Sequence, residues 1–144
     1  MTECTEDTSV VTRRLIPEEQ RLDATADRFG VWFPLTIEVA VYQITEHITQ
    51  GEYTGGWWWL YDISNRGFYM APDLDKSFQV SCDNNWQGEL SADALGITAC
   101  LYAFSRLSYA ENIELGKLCA EHYYLLREYM FDHPEVAAIV AATD

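Results

Sequence analysis

A chain of 144 residues, 49% hydrophobic and 22% charged, has the length and apolar content of one domain around a single core. Five Trp, nine Tyr and six Phe exclude an intrinsically disordered chain. Nine Lys and Arg against 23 Asp and Glu give a formal net charge of -14, which argues against binding nucleic acid through its phosphates, because that needs basic side chains to release counterions. The excess is even along the chain, with nets of -5 over 1–50, -4 over 51–90 and -5 over 91–144. Two readings of it stay open: carboxylates that mimic DNA phosphates, and an acidic protein kept soluble and monomeric by self-repulsion.

In chain order, residues 1–9 are polar and acidic and are expected to be flexible. Val10 to Ile16 suits an extended docking segment, and Pro17, Glu18 and Glu19 suit the start of a short helix that fades near Gly30. Pro34 opens a second helix, with Ile37, Val41, Ile44 and Ile48 on one face and Gly51 as its stop. The period then shifts to two. Trp57 to Tyr61, Phe68 to Met70, Ser77 to Cys82 and Trp86 to Leu90 read as four strands joined by short turns, hence antiparallel. The alternating sides of Trp57-Trp58-Trp59 are expected to face core on both sides, under helices placed before and after the sheet. Ser91 suits an N-cap and Asp93 the first turn of a helix that is apolar nearly all round, and Gly96 inside it points to close packing on the sheet. Ser108 to Glu111 has capping-box spacing before a helix whose buried face runs from Leu115 through Cys119 and His122 to Met130. Glu135 to Ala142 forms a last short helix after Pro134. The fold class is therefore α+β: a four-stranded antiparallel meander packed with four to five helices, in one compact domain over residues 10–144.

Little in the sequence supports catalysis. His47, His122 and His133 are far apart and Cys4, Cys82, Cys100 and Cys119 form no C-x-x-C pair, so no metal or cofactor is expected. There is no G-x-S-x-G elbow and no phosphate-binding glycine loop. His122, on the apolar stripe of its helix, reads as a core histidine. With no leader-like start, and an uncharged helical run from Ala94 to Ser105 too short to span a bilayer, the expected setting is the cytoplasm with reduced thiols.

Several segments, taken in order, carry a family likeness. Ser64-Asn65 precedes Gly67-Phe68-Tyr69-Met70-Ala71-Pro72-Asp73, followed by Gly88-Glu89-Leu90-Ser91-Ala92-Asp93-Ala94 with Gly96-Ile97, and by weaker matches at Glu19-Gln20-Arg21-Leu22, His133-Pro134-Glu135 and Asp144. With them residues 10–144 resemble the ArdB/KlcA antirestriction family. Arg66 departs from the pattern, which favours Gly there. The resemblance implies a four-stranded antiparallel sheet surrounded by helices, no catalytic site and no cofactor. It also implies protection of unmodified plasmid or mobile-element DNA against type I restriction-modification enzymes, reached directly or through a host protein. The candidate interaction surface is Tyr69, Asp73, Glu89, Asp93 and Asp144, at strand ends and the chain terminus. The competing readings are a DNA mimic acting on a basic cleft, a small carboxylate-dependent hydrolase with at least two acids of shifted pKa, and an aromatic ligand-binding module built on the Trp strand.

Overall fold

A computed structural model describes residues 10–144, so the segment 1–9 expected to be flexible, with Cys4, lies outside the described residues. Five strands and five α-helices follow one another: β1 Arg13–Leu15, α1 Arg21–Phe29, α2 Glu38–Ile48, β2 Trp58–Ile63, β3 Phe68–Pro72, β4 Ser77–Ser81, β5 Gln87–Ser91, α3 Ala92–Leu107, α4 Ile113–Met130 and α5 Val136–Thr143. A 3-10 turn, Glu18–Gln20, leads into α1, and a π-helical turn, Phe33–Ile37, leads into α2 with Pro34 near its start.

The α+β class holds, and the strands divide between two antiparallel sheets, β1-β2-β3 and β4-β5. The extended N-terminal segment supplies the additional strand, with Arg14 opposite Asp62 and Leu15 opposite Tyr61. The meander breaks after β3 because Pro72 has no N–H to continue a ladder and the charged run at 73–76 stays in solvent. In the β2–β3 turn, Arg66 adopts φ +80°, a left-handed conformation that favours glycine.

Helix α3 is the centre of the core. It packs on β3, α2, α4 and α5, and eleven of its residues are buried. Ser91 caps it by accepting the Ala94 N–H at 3.1 Å, as the sequence predicts. The capping box expected at Ser108 does not form. The Ser108 hydroxyl turns back onto the Ser105 carbonyl at 2.6 Å, and Asn112 caps α4 instead by accepting from Leu115 N–H at 3.0 Å. Asn is as good a cap as Ser and sits at the residue before the first helical turn.

The tryptophan run also differs from expectation. Trp58 is core, and its indole N–H donates to the Tyr53 hydroxyl. Trp57 is 47% exposed and Trp59 half-buried, because their side of the sheet is covered by the Arg21 guanidinium, 4.4 Å from the Trp57 ring, rather than by a helix.

Gly96 lets α3 lie against the β3 backbone. A Cβ built there stands 2.3 Å from the Met70 carbonyl oxygen and 2.5 Å from Ala71 Cα. Helix propensity alone would make Gly96→Ala stabilising by about 1 kcal/mol. The contact reverses the sign, and we expect a loss of roughly 1–3 kcal/mol in urea unfolding, the range for overpacked cores.

His122 is a core residue, tilted against Phe29 at 4.5 Å and Phe104 at 5.6 Å between ring centroids. Burial, with the nearby Arg28 charge, pushes its pKa down to about 4 from 6.5, so the folded state holds it neutral. Between those values the unfolded chain binds the extra proton, and stability therefore falls as pH drops from about 6.5 to about 4, by roughly 3 kcal/mol. In denaturant titrations across that window, His122→Met is expected to flatten the slope. An unchanged slope would show that another group is responsible.

Candidate interaction site

The strands and the start of α3 bring four polar side chains from distant parts of the chain together. Arg13 on β1 donates to the Tyr69 hydroxyl at 2.5 Å and to Asp93 Oδ1 at 2.6 Å. Tyr69 on β3 donates to the same Oδ1 at 2.8 Å. His133, in the turn before α5, meets Asp93 Oδ2 at 2.8 Å, and its Nδ1 accepts the Glu135 backbone N–H at 3.0 Å, which leaves Nε2 to donate to Asp93. The Glu135 carboxylate in turn accepts from the Ser91 N–H at 3.0 Å and the Ser91 hydroxyl at 2.5 Å. Both carboxylates thus lie at the N-terminal end of α3, where the helix dipole favours negative charge.

Electrostatics reinforce the arrangement. Burial opposes ionisation of Asp93, but the His133 hydrogen bond, the Arg13 charge and the Tyr69 hydroxyl overcome it and hold the carboxyl below its usual range. Burial and the Asp93 charge push the Tyr69 phenol well above its ordinary pKa, so it remains a donor. Burial works against the charged form of Arg13 too, yet Tyr69 and Asp93 more than offset it and raise the guanidinium pKa. Aromatic rings wall the cluster. Tyr69 stacks on Tyr61 at 4.9 Å and on Tyr129 at 5.6 Å, and Arg13 lies 4.3 Å over the Tyr61 ring.

Of the five residues expected at an interaction surface, the structure joins two, Tyr69 and Asp93, and only Asp93 is accessible. Tyr69 is fully buried beneath Tyr61 and Tyr129, so it positions Asp93 and Arg13 and touches no partner itself. Asp73 stands exposed just after β3, with its charge felt by Tyr61. Glu89 is exposed on β5 opposite Gln79. Asp144 is tied at the chain end, where its carbonyl oxygen accepts from Asn84 Nδ2 at 2.9 Å. Neither Glu89 nor Asp144 takes part in the network. Sequence reasoning passed over Arg13, Tyr61 and Tyr129. It named His133 as a metal-ligand candidate to set aside and in a family string, and Glu135 in that string and as a helix start, and their separation of some 40 residues from Asp93 and Ser91 hid the contact.

This cluster is arranged to hold shape and present charge. Asp93 is kept ionised, the wrong state for a general acid, and the Ser91 hydroxyl is occupied by Glu135 and by helix capping. Burial pushes the Cys100 and Cys119 thiols up to about 12 and about 11, away from the nucleophilic thiolate. Among the described residues, no three His, Cys, Asp or Glu side chains group as a metal site requires, and no helix is long and apolar enough to cross a membrane.

Comparisons with known proteins agree with this architecture. Residues 51–144 match the family described as antirestriction proteins. The chain is 39% identical to antirestriction protein KlcA of Escherichia coli over 93% of this chain and 95% of that one. It is 37% identical to the E. coli K12 protein YafX, over 90% and 85% of the two chains. A solved structure from the KlcA and ArdB proteins superposes with a TM-score of 0.85 at 39% identity, covering 93% of this chain and 95% of that one. Those proteins have a novel fold and antirestriction activity against type I DNA restriction systems in vivo but not in vitro. This chain, with the same fold over nearly its whole length, belongs to the antirestriction protein family.

Proposed function

We propose that this chain blocks type I restriction inside the bacterial cell and so protects unmodified incoming DNA, acting by binding and not by catalysis. The observation that carries the reading is the near-complete match in fold and sequence to the KlcA and ArdB structure. Activity of those proteins in vivo but not in vitro supports a route through a cellular partner absent from purified reactions, rather than direct occupation of the enzyme's DNA cleft. The charge is consistent with that route, since the acids are spread along the whole chain with no long acidic block.

Within this reading the contact surface is the accessible side of the network, Arg13 and Asp93, with the neighbouring Asp73. Arg13 and Asp93 expose 39% and 29% of their side chains and are held in one geometry by Tyr69 and His133, so little side-chain entropy is lost on binding.

Expression in a strain carrying a type I system is expected to raise plating of unmodified phage strongly over an empty vector, with no change in a strain lacking restriction. Asp73→Lys, at an exposed position, is expected to lower protection by about tenfold, the effect of losing roughly 1.4 kcal/mol of binding. Asp93→Asn should do at least the same. Folded variants that protect like the parent would remove this surface from the account, whereas no protection by the parent would remove the function itself.

A further inference from the structure

An uncovered, partly apolar groove lies along α2, and it shares no residue with the Arg13–Asp93 network. Two hollows of about 330 and 270 Å³ meet there at Tyr42 and Gly56. Glu46 and Tyr53 wall the first, and Glu38, Arg21 and Trp57 wall the second, so together they make one groove. Its floor at Gly55 and Gly56 carries no side chain. Leu22, 85% exposed, and Trp57, 47% exposed, stand at its edge, and Leu35, 70% exposed, continues the apolar strip with Val39 on the same side of the helix. Apolar side chains this bare, grouped beside a groove, mark a surface that a partner covers.

We propose that this groove docks a basic, apolar segment of another protein, placing an arginine or lysine between Glu38 and Glu46 and apolar side chains against Leu22 and Trp57. Glu38, Tyr42 and Glu46 are spaced four residues apart on α2, so two carboxylates flank one aromatic ring on a single face. The Tyr42 hydroxyl donates to Glu38 Oε2 at 3.0 Å and fixes that carboxylate at the groove. A cation entering beside Tyr42 meets the ring face and one carboxylate directly, and is attracted by the other a further turn along the helix. The fold already shows the affinity of these rings for a guanidinium, because Arg21 lies over Trp57 while donating to the Trp58 carbonyl at 2.8 Å. The acids outnumber that one base, and the -14 net charge of the chain draws a basic segment toward the groove over long range. A second copy of the chain would set the same acids against each other, and a nucleic acid would bring phosphates to a negative groove. Like charge disfavours both.

The test is a titration of the 15N-labelled protein, followed by NMR at physiological salt to screen diffuse attraction. The probe is a short synthetic peptide alternating leucine and arginine, with two analogues: one replacing arginine by glutamate, the other leucine by serine. Saturable shifts centred on the Trp57 indole N–H and the amides of Tyr42, Gly55 and Gly56 are expected with the leucine–arginine peptide, and much weaker binding with either analogue. Glu38→Gln combined with Glu46→Gln is expected to weaken binding about fivefold or more, about 1 kcal/mol by the affinity scale, while Glu114→Gln combined with Glu121→Gln on α4 leaves it unchanged. The proposal is overturned by an absence of saturable shifts, by equal binding of the glutamate analogue, or by equal weakening from the α4 pair. Shifts in the same residues that depend on protein concentration alone would assign the groove to a second copy and overturn it as well.

Discussion

The Asp93 carboxylate joins β1 and the segment leading into α5 to one point of the core. It lies in the first turn of α3, accepts from Arg13 of β1 and Tyr69 of β3, and receives His133 from the segment that leads into α5. A carboxylate that is two-thirds shielded is costly to ionise unless each lone pair is used, and here three donors and a helix N-terminus share that task. The consequence is structural. The three-residue strand β1 and the eight-residue helix α5 are each too short to be stable alone, and both are anchored to α3 at the same place. Glu135 repeats the arrangement one step away by binding Ser91, so the terminal segment is clamped on both sides of the helix start.

Around that anchor the molecule separates burial from charge. Helix α3, in contact with β3 through Gly96, gives the core its centre, and the acids lie largely outside it. The few bases are used sparingly and with purpose. Arg13 serves the Asp93 network, Arg14 and Arg28 share Asp62 at 2.7 and 2.6 Å, and Arg21 covers the Trp57–Trp59 face of β2. Among the described residues several of the few bases are thus engaged with acids or aromatic rings, which leaves the chain's acidic excess to dominate its long-range field.

Much of this was legible in the sequence because local rules agreed with global ones. The all-round apolar pattern of α3, its Ser91 cap, the stripe from Leu115 to Met130 and the core position of His122 each follow from spacing alone. Besides the open Trp57–Trp59 face, three things were not legible. The division into two sheets depends on how strongly the run after Pro72 prefers solvent, which pairing patterns do not reveal. The cap at Asn112 competed with an equally plausible one at Ser108, and the choice between them was made by where the α3 helix ends. The site was half visible: Tyr69 and Asp93 lie in the family-like strings, but Arg13 and His133 join them only across separations of 80 and 40 residues, and no periodicity reports such contacts.

The central claim is that one carboxylate anchors both β1 and the segment leading into α5. Backbone hydrogen exchange in Asp93→Ala, compared with the parent chain, tests it most directly. The account predicts faster exchange in two places at once: in the β1 pairing, including the Ile16 N–H bonded to Leu60, and in α5, including the Ile139 N–H bonded to Glu135. Protection in the middle of α3 should change much less. Loss at one end only, or a uniform loss across α3 and both ends, would contradict the shared anchor and leave Asp93 as an ordinary first-turn helix residue.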